Sequence, residues 1–317
     1  MSWATANKVA LELPSMRLRD FSQGAPGSPV LICAPYALHC ASVADFAPGH
    51  SIVETLQAGG LRRLYATDWR SAEPDMRYLS IDSYLADLNV AIDDIGPPVD
   101  VVGLCQGGWL ALVYAARFPE KVRRLVLVGA PVDVAVESGL SRIVTSAPQQ
   151  VFEGLVGSGG GIVSGDHMLR FWSCSPDAEV VLQRSLSHDA PGAAELRDRF
   201  NRWYSQTVDL PGIYYLQVVN WIFRENRLGR GSFMALGREV RLREVKTPVF
   251  LLAGTDDEVV PEAQALATIS LLGTPAPFIE SARAPSCHLG LFMGSRTLAE
   301  FWPRIARWLQ RDLPGAR

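Results

Sequence analysis

Cysteine is scarce in this chain and follows no pattern. Cys33, Cys40, Cys105, Cys174 and Cys287 are odd in number, irregular in spacing and include no Cys-x-x-Cys pair. A disulfide framework or thiolate zinc site is therefore not expected, and reduced thiols fit a cytoplasmic setting. An excess of one charge is lacking too. Thirty Lys and Arg stand against 33 Asp and Glu, a net of −3, with no basic run or stripe. Nucleic acid is thus not an expected partner. No uncharged stretch is long enough to cross a bilayer, so no membrane span is expected. Residues 1–19 alternate polar and apolar residues where a signal peptide would carry an apolar core. The one low-complexity patch, Gly157-Ser158-Gly159-Gly160-Gly161, has no firm strand before it and no Gly-Lys-Ser/Thr after it. It reads as a flexible loop and not as a phosphate cradle.

What is present is the composition of an ordinary globule, 48% hydrophobic and 20% charged over 317 residues. Val9 to Leu13 and Met16 to Phe21 read as a hairpin, and Pro29 to Ala34 as a buried strand. A helix Ile52 to Ala58 and a strand Leu61 to Thr67 follow, then a helix Ile81 to Ile95 with Asp82 in its first turn. Val99 to Gly103, the helix Trp109 to Arg117 and Val122 to Val128 continue the alternation. Such alternation implies α/β architecture, a mostly parallel sheet with helices on both faces. It stops between about Asp133 and Leu236, a Trp- and Gly-rich stretch too long for a regular connection. The expected organisation is therefore a core of residues 1–132 and 237–317 with a mainly helical cap, 133–236, inserted into it. Strand pattern returns at Val249 to Ala253 and near Phe278 to Ile279, with helices Pro261 to Leu272 and Thr297 to Leu309.

The most informative stretch is Gly103-Leu104-Cys105-Gln106-Gly107-Gly108. It joins a strand to a helix with a cysteine at the tip of the turn. In the Gly-x-Ser-x-Gly elbow of α/β hydrolases the central residue is held strained and exposed, and the flanking glycines clear its neighbours. The helix that follows aims its positive end at the tip, which favours a thiolate. A buried structural cysteine is the bland alternative.

A thiolate that forms an acyl-enzyme needs a base, and the base needs an orienting carboxylate. In this fold they follow in the order nucleophile, acid, histidine. Asp256, Asp257 and Glu258 lie past the strand Val249 to Ala253, and His288 lies in a loop after the last strand. The expected triad is Cys105, Asp257 and His288, with Asp257 preferred to Asp256. His39, His50, His167 and His188 are the competing histidines, and His50 is a candidate cap for the first core helix. The oxyanion hole is expected to use the N–H of Gln106 and one from the loop holding Ala37 and Leu38. His39, Trp109 and Trp221 are candidate substrate-binding residues. Trp172 and Trp203 are further aromatic candidates for core or pocket wall. This chemistry requires no metal and no cofactor.

These residues resemble the polyhydroxyalkanoate synthases and the intracellular, cysteine-type polyhydroxyalkanoate depolymerases of the α/β-hydrolase superfamily, from about Pro29 to Leu309. The elbow, running on through Tyr114-Ala115-Ala116-Arg117-Phe118-Pro119-Glu120-Lys121-Val122, is similar to that of the shorter synthases, as are Pro48-Gly49-His50-Ser51 and Ile81-Asp82-Ser83-Tyr84. Thr67-Asp68-Trp69-Arg70-Ser71-Ala72, Val208-Asp209-Leu210-Pro211 and His288-Leu289-Gly290-Leu291-Phe292-Met293-Gly294-Ser295-Arg296 look more like the depolymerases. In both groups the catalytic residues fall on Cys105, Asp257 and His288. Three synthase motifs are altered. Trp-Asn-x-Asp reads Trp203-Tyr204-Ser205-Gln206, Asp-His-x-Val-Pro reads Asp257-Glu258-Val259-Val260-Pro261, and Asn-Lys-Tyr-Tyr reads His39-Cys40-Ala41-Ser42. The depolymerase proline after Cys-Gln is Gly107.

The resemblance implies a cysteine acyl-transfer enzyme, and the altered motifs favour hydrolysis of 3-hydroxyalkanoate esters, oligomers or thioesters. The alternatives are a synthase-like acyltransferase using 3-hydroxyacyl-CoA and a non-catalytic granule-surface scaffold. Expected partners are a small-molecule or polyester acyl substrate, a CoA thioester, a polymer granule surface and, through the cap, a second copy in a homodimer.

Overall fold

Eight strands share one sheet in the computed structural model, which describes residues 2–24, 26–172, 186 and 192–312. They are β1 (Lys8–Glu12), β2 (Met16–Asp20), β3 (Val30–Cys33), β4 (Leu64–Trp69), β5 (Val99–Leu104), β6 (Val122–Val128), β7 (Val249–Gly254) and β8 (Ile279–Ala284). Their order is β1-β2-β4-β3-β5-β6-β7-β8. The hairpin β1–β2 joins antiparallel through β2 to β4, and every later pair is parallel.

The central strands β3, β5 and β7 are buried along their whole length, as their near-continuous apolar runs require. Adjacent residues feed opposite faces. Leu31, Val101 and Leu251 pack with α2 (Ile81–Ile95) and α3 (Gln106–Arg117). Ile32, Val102 and Leu252 pack on the other side with α1 (Ile52–Ala58) and with Trp302 and Trp308 of the last helix. The exception inside β5 is Asp100, fully buried and held by the Arg123 guanidinium.

Residues 129–248 leave the sheet after β6 and return at β7. They form α4 (Gly139–Ser146), α5 (Gln149–Ser158), α6 (Gly165–Trp172), α7 (Ala193–Ser205) and α8 (Gly212–Gln217), which runs into a π-helical turn, Val218–Arg224. Among the described residues the segment also holds a one-turn helix, Arg227–Arg230, a 3-10 turn, Leu242–Glu244, and two two-stranded ribbons, Ile162–Val163 with Leu210–Pro211 and Phe233–Ala235 with Arg238–Val240. The Trp172 side chain, Cys174 and His188 lie outside the described residues.

Near the end of the chain the sequence pattern misleads twice. The short strand expected near Phe278 is a six-residue edge strand, β8, whose outward Ser281 and Arg283 masked its pairing with β7. The single helix expected from Thr297 to Leu309 is two, Ser295–Glu300 and α10 (Trp302–Gln310), with α9 (Glu262–Leu271) earlier. Pro303 lacks the N–H and carries the ring that breaks a helix interior, so a new helix starts around it. No helix among the described residues is long and apolar enough to cross a membrane.

Candidate active site

Parallel strands in register deliver their carboxyl ends to one edge. Cys33 pairs with Gly103, Leu104 and Leu252 both pair with Val128, and Gly254 pairs with Ala284. The loops after β3, β5, β6, β7 and β8 therefore open side by side, where ligands gather in α/β sheets.

The connection after β5 is a single residue. Cys105 stands between β5 and α3 at φ 47° and ψ −117°, a conformation that L-residues rarely adopt. Its N–H bonds the Val128 carbonyl at 2.9 Å and its carbonyl accepts from Gly108 at 2.9 Å, so the corner is tied on both sides. The glycines are there for clearance. A Cβ on Gly107 would run into the Cys33 carbonyl, and one on Gly108 into the Ala130 Cβ. A Cβ on Gly103 would stand 2.6 Å from the Gly108 Cα. The first residue of α3 is Gln106, whose backbone N–H belongs to the unpaired set at a helix start.

His288 reaches the corner from the loop after β8. Its Nδ1 lies 2.7 Å from Asp257 Oδ2, and the Cys105 side chain is near enough to act on the ring's charge. Asp257 follows β7 and is fixed by its second oxygen, which accepts from the Val259 and Val260 N–H groups at 2.9 and 2.8 Å. The carboxylate side chain has no exposure. Burial alone would depress the imidazole pKa. The Asp257 carboxylate, through its charge and hydrogen bond, and the neighbouring Cys105 side chain outweigh it and raise His288 well above the ordinary histidine value. Phe292 covers the ring edge-on at 5.2 Å.

These groups face an apolar cavity of about 240 Å³ lined also by Ala37, Leu38, His39, Trp203 and Tyr204. A second cavity of about 410 Å³ shares Ala37, Leu38, Gln106, Leu140, Tyr204, Glu258 and Val259 with the first, so the two are chambers meeting beside Cys105. The structure thus gathers Cys105, Gln106, Asp257, His288, Ala37, Leu38 and His39 at one place. His39 lies between Trp203 at 4.5 Å and Tyr204 at 4.8 Å. Burial lowers its pKa to about 4, against a backbone hydrogen bond with Gln206, so its ring is neutral.

Two expected substrate contacts lie elsewhere. Trp109 is fully buried three residues along α3, where the helical repeat turns it inward, and its indole N–H donates to the Gln106 side chain. Trp221 packs edge-on against Phe233 at 5.8 Å beneath the Arg227 guanidinium, and it lines neither chamber. His50 does not cap α1. Ser51 does, accepting from Glu54 at 2.9 Å, while His50 Nδ1 meets the Met293 carbonyl at 2.8 Å. His167 is exposed.

Of the spare thiols, Cys33 is buried and pushed up to about 12, whereas Cys40 and Cys287 line the cavity with Cys105. Gly129 escaped the sequence reading. It follows β6 at φ 52°, and a Cβ there would sit 3.2 Å from His288 Cε1. Its only signal was a glycine closing a buried strand. The walls contributed by Leu140 and Val259 left no signal beyond being apolar.

The family described as alpha/beta hydrolase fold matches residues 62–276. The poly(3-hydroxyalkanoate) polymerase subunit PhaC of Synechocystis sp. is 28% identical over 298 residues, covering 89% of this chain and 78% of that protein. Its counterpart in Haloferax mediterranei is 25% identical over 287 residues, covering 88% of this chain but only 56% of the relative's length. Among solved structures, a Bacillus megaterium epoxide hydrolase in complex with an inhibitor superposes with a TM-score of 0.61 at 16% identity, over 95% of this chain and 99% of that one. At that identity the likeness is one of fold.

Proposed function

The chain belongs to the alpha/beta hydrolase fold family, and on that premise we propose that it is a cysteine-dependent acyltransferase of the poly(3-hydroxyalkanoate) polymerase kind. One observation carries the reading. Cys105, bent onto a positive-φ corner, shares an apolar cavity with an imidazole that is hydrogen-bonded to a buried carboxylate and electrostatically coupled to the Cys105 side chain. The altered motifs favour hydrolysis. The relatives, which bear the polymerase name, support transfer ahead of it.

The donor in this reading is a 3-hydroxyacyl-CoA thioester. The Cys105 sulfur attacks its carbonyl carbon as thiolate, with the proton held on His288. The oxyanion is met by the Gln106 N–H and by an N–H of the loop holding Ala37 and Leu38. The adduct collapses, the bond to the CoA sulfur breaks, and CoA leaves as the thiol with the proton from His288. An acceptor hydroxyl then gives its proton to His288 as its oxygen attacks the acyl-Cys105 carbonyl, and the thiolate departs. Asp257 holds the ring in the tautomer that serves both halves. The 3-hydroxyl of another unit as acceptor yields an ester; water yields the free acid.

The test is to incubate the protein with 3-hydroxybutyryl-CoA and follow CoA release, the intact mass of the protein and the products. An acyl adduct on Cys105 together with ester-linked oligomers is the expected result. Free 3-hydroxybutyrate as sole product would return the reading to hydrolysis, and absence of any adduct would end it.

A further inference from the structure

The larger chamber has no assigned task in the chemistry above. It opens at Gln106, Ala37 and Leu38, the residues that would cradle the reacting carbonyl, and it runs away from Cys105 under the segment inserted between β6 and β7. Its far walls are Ile143 and Val144 of α4, Met168 of α6, and Val218, Val219 and Phe223 of the π-helical turn. Among the described residues no lysine or arginine lines either chamber; Glu258 is shared by both, Asp256 and the His39 and His288 rings belong to the smaller one, and Glu258 is the one charged group along the larger. Whatever enters is attached to the carbonyl carbon on one side or the other. The CoA side is a pantetheine arm with two amides that ends in phosphates; aliphatic walls strip water from the amides, and Glu258 repels the phosphates. The remaining substituent is the alkyl chain.

We infer that this chamber holds the acyl chain, and that it selects 3-hydroxyacyl thioesters longer than the four-carbon unit. The inference rests on the acyl-transfer reading and deepens it. A methylene carried from water into an apolar wall is worth about fourfold in a rate that depends on it, and a partly open wall returns somewhat less. The chamber is also larger than the one that holds the nucleophile, about 410 against 240 Å³, so several methylenes fit before it is full.

Single-turnover acylation reads the donor site alone, before any acceptor binds. The protein is mixed with 3-hydroxyacyl-CoA thioesters of four, six, eight and ten carbons, and CoA release and acyl-Cys105 mass are recorded. The expected result is a second-order rate that rises about two- to fourfold with each methylene until the chamber is full. Ile143→Trp and Val218→Phe fill it from two elements of its lining, at positions that are only half-buried. In either variant the eight- to four-carbon rate ratio should fall at least about tenfold. Circular dichroism and thermal unfolding verify that each variant is folded.

A flat or falling series, with the four-carbon unit still forming its adduct, overturns the chamber's role and leaves the acyl-transfer reading intact. So does a ratio unchanged in both variants, or a length dependence found only in the later transfer step, which would make the chamber the berth of the acceptor chain. No adduct at any length removes the reading and the inference together.

Discussion

At the sheet edge Cys105 and Asp257 are fixed by backbone, whereas the side chains that line the far wall of the larger chamber are fixed by packing. Cys105 is set by a left-handed corner and two main-chain hydrogen bonds, and Asp257 by two N–H groups on one oxygen. The opposite wall is a set of aliphatic faces on α4, α6 and a π-helical turn, a helix type that recurs at functional sites. The difference separates two jobs. Chemistry needs atoms placed within a fraction of an ångström, which strained backbone supplies. Admission of an acyl chain needs only volume and apolarity, which many side chains supply equally well.

Mutation should divide the same way, with losses of orders of magnitude at the edge and changes of preference at the wall. The largest effect belongs to Cys105→Ala. Intact mass spectrometry should find no acyl adduct, and CoA release should fall to the uncatalysed background. Residual adduct would mean that Cys40 or Cys287, which line the same cavity, share the work.

Asp257→Asn comes next. Loss of the orienting carboxylate in such triads costs about 10³- to 10⁴-fold in kcat. The pH profile distinguishes this from simple misfolding. Asp257 helps to raise the His288 pKa, so the imidazolium persists above the ordinary histidine range and is lost only as pH rises through that elevated value. Without the carboxylate its loss must occur at lower pH. The alkaline limb of the acylation rate should therefore move down in the variant, and an unmoved limb would show that another group sets it.

Gly129→Ala probes the join between the two regions, since Gly129 closes β6 just where the chain leaves the sheet for the inserted segment. The new Cβ would need a left-handed backbone and would press on His288 Cε1 at 3.2 Å. A fall of about tenfold in kcat is expected, with about 1–2 kcal/mol lost in denaturant unfolding. Loss of stability with unchanged kcat would free His288 from dependence on this contact.

Legibility in the sequence follows the same division. Strands β3, β5, β6 and β7 were readable because both their faces are buried, and the elbow because its glycines answer to backbone clashes that no other residue avoids. Cys105, Asp257 and His288 are brought together where chain order alone pairs them. The edge strand β8 was half-hidden because one margin meets solvent and carries polar residues. Trp109 and Trp221 were misjudged for a different reason. An aromatic ring looks the same in sequence whether it faces a ligand or a neighbouring helix, and only the direction of its Cβ decides. The chamber walls were unreadable for a related reason, because an aliphatic side chain records that it is covered and not by what.

The smallest effect tests the wall from behind. Trp221 belongs to the π-helical turn whose Val218, Val219 and Phe223 line the larger chamber, yet its own ring turns away to Phe233 and Arg227. If the wall is permissive, Trp221→Leu should lower stability by about 1–2 kcal/mol through lost ring contacts. It should change the acylation rate and its chain-length dependence by less than about twofold, because aliphatic groups can resettle without losing volume. A change of tenfold in either rate would show that the turn is held as tightly as the corner at Cys105. The contrast between a rigid edge and a tolerant wall would then give way to a single pre-formed site.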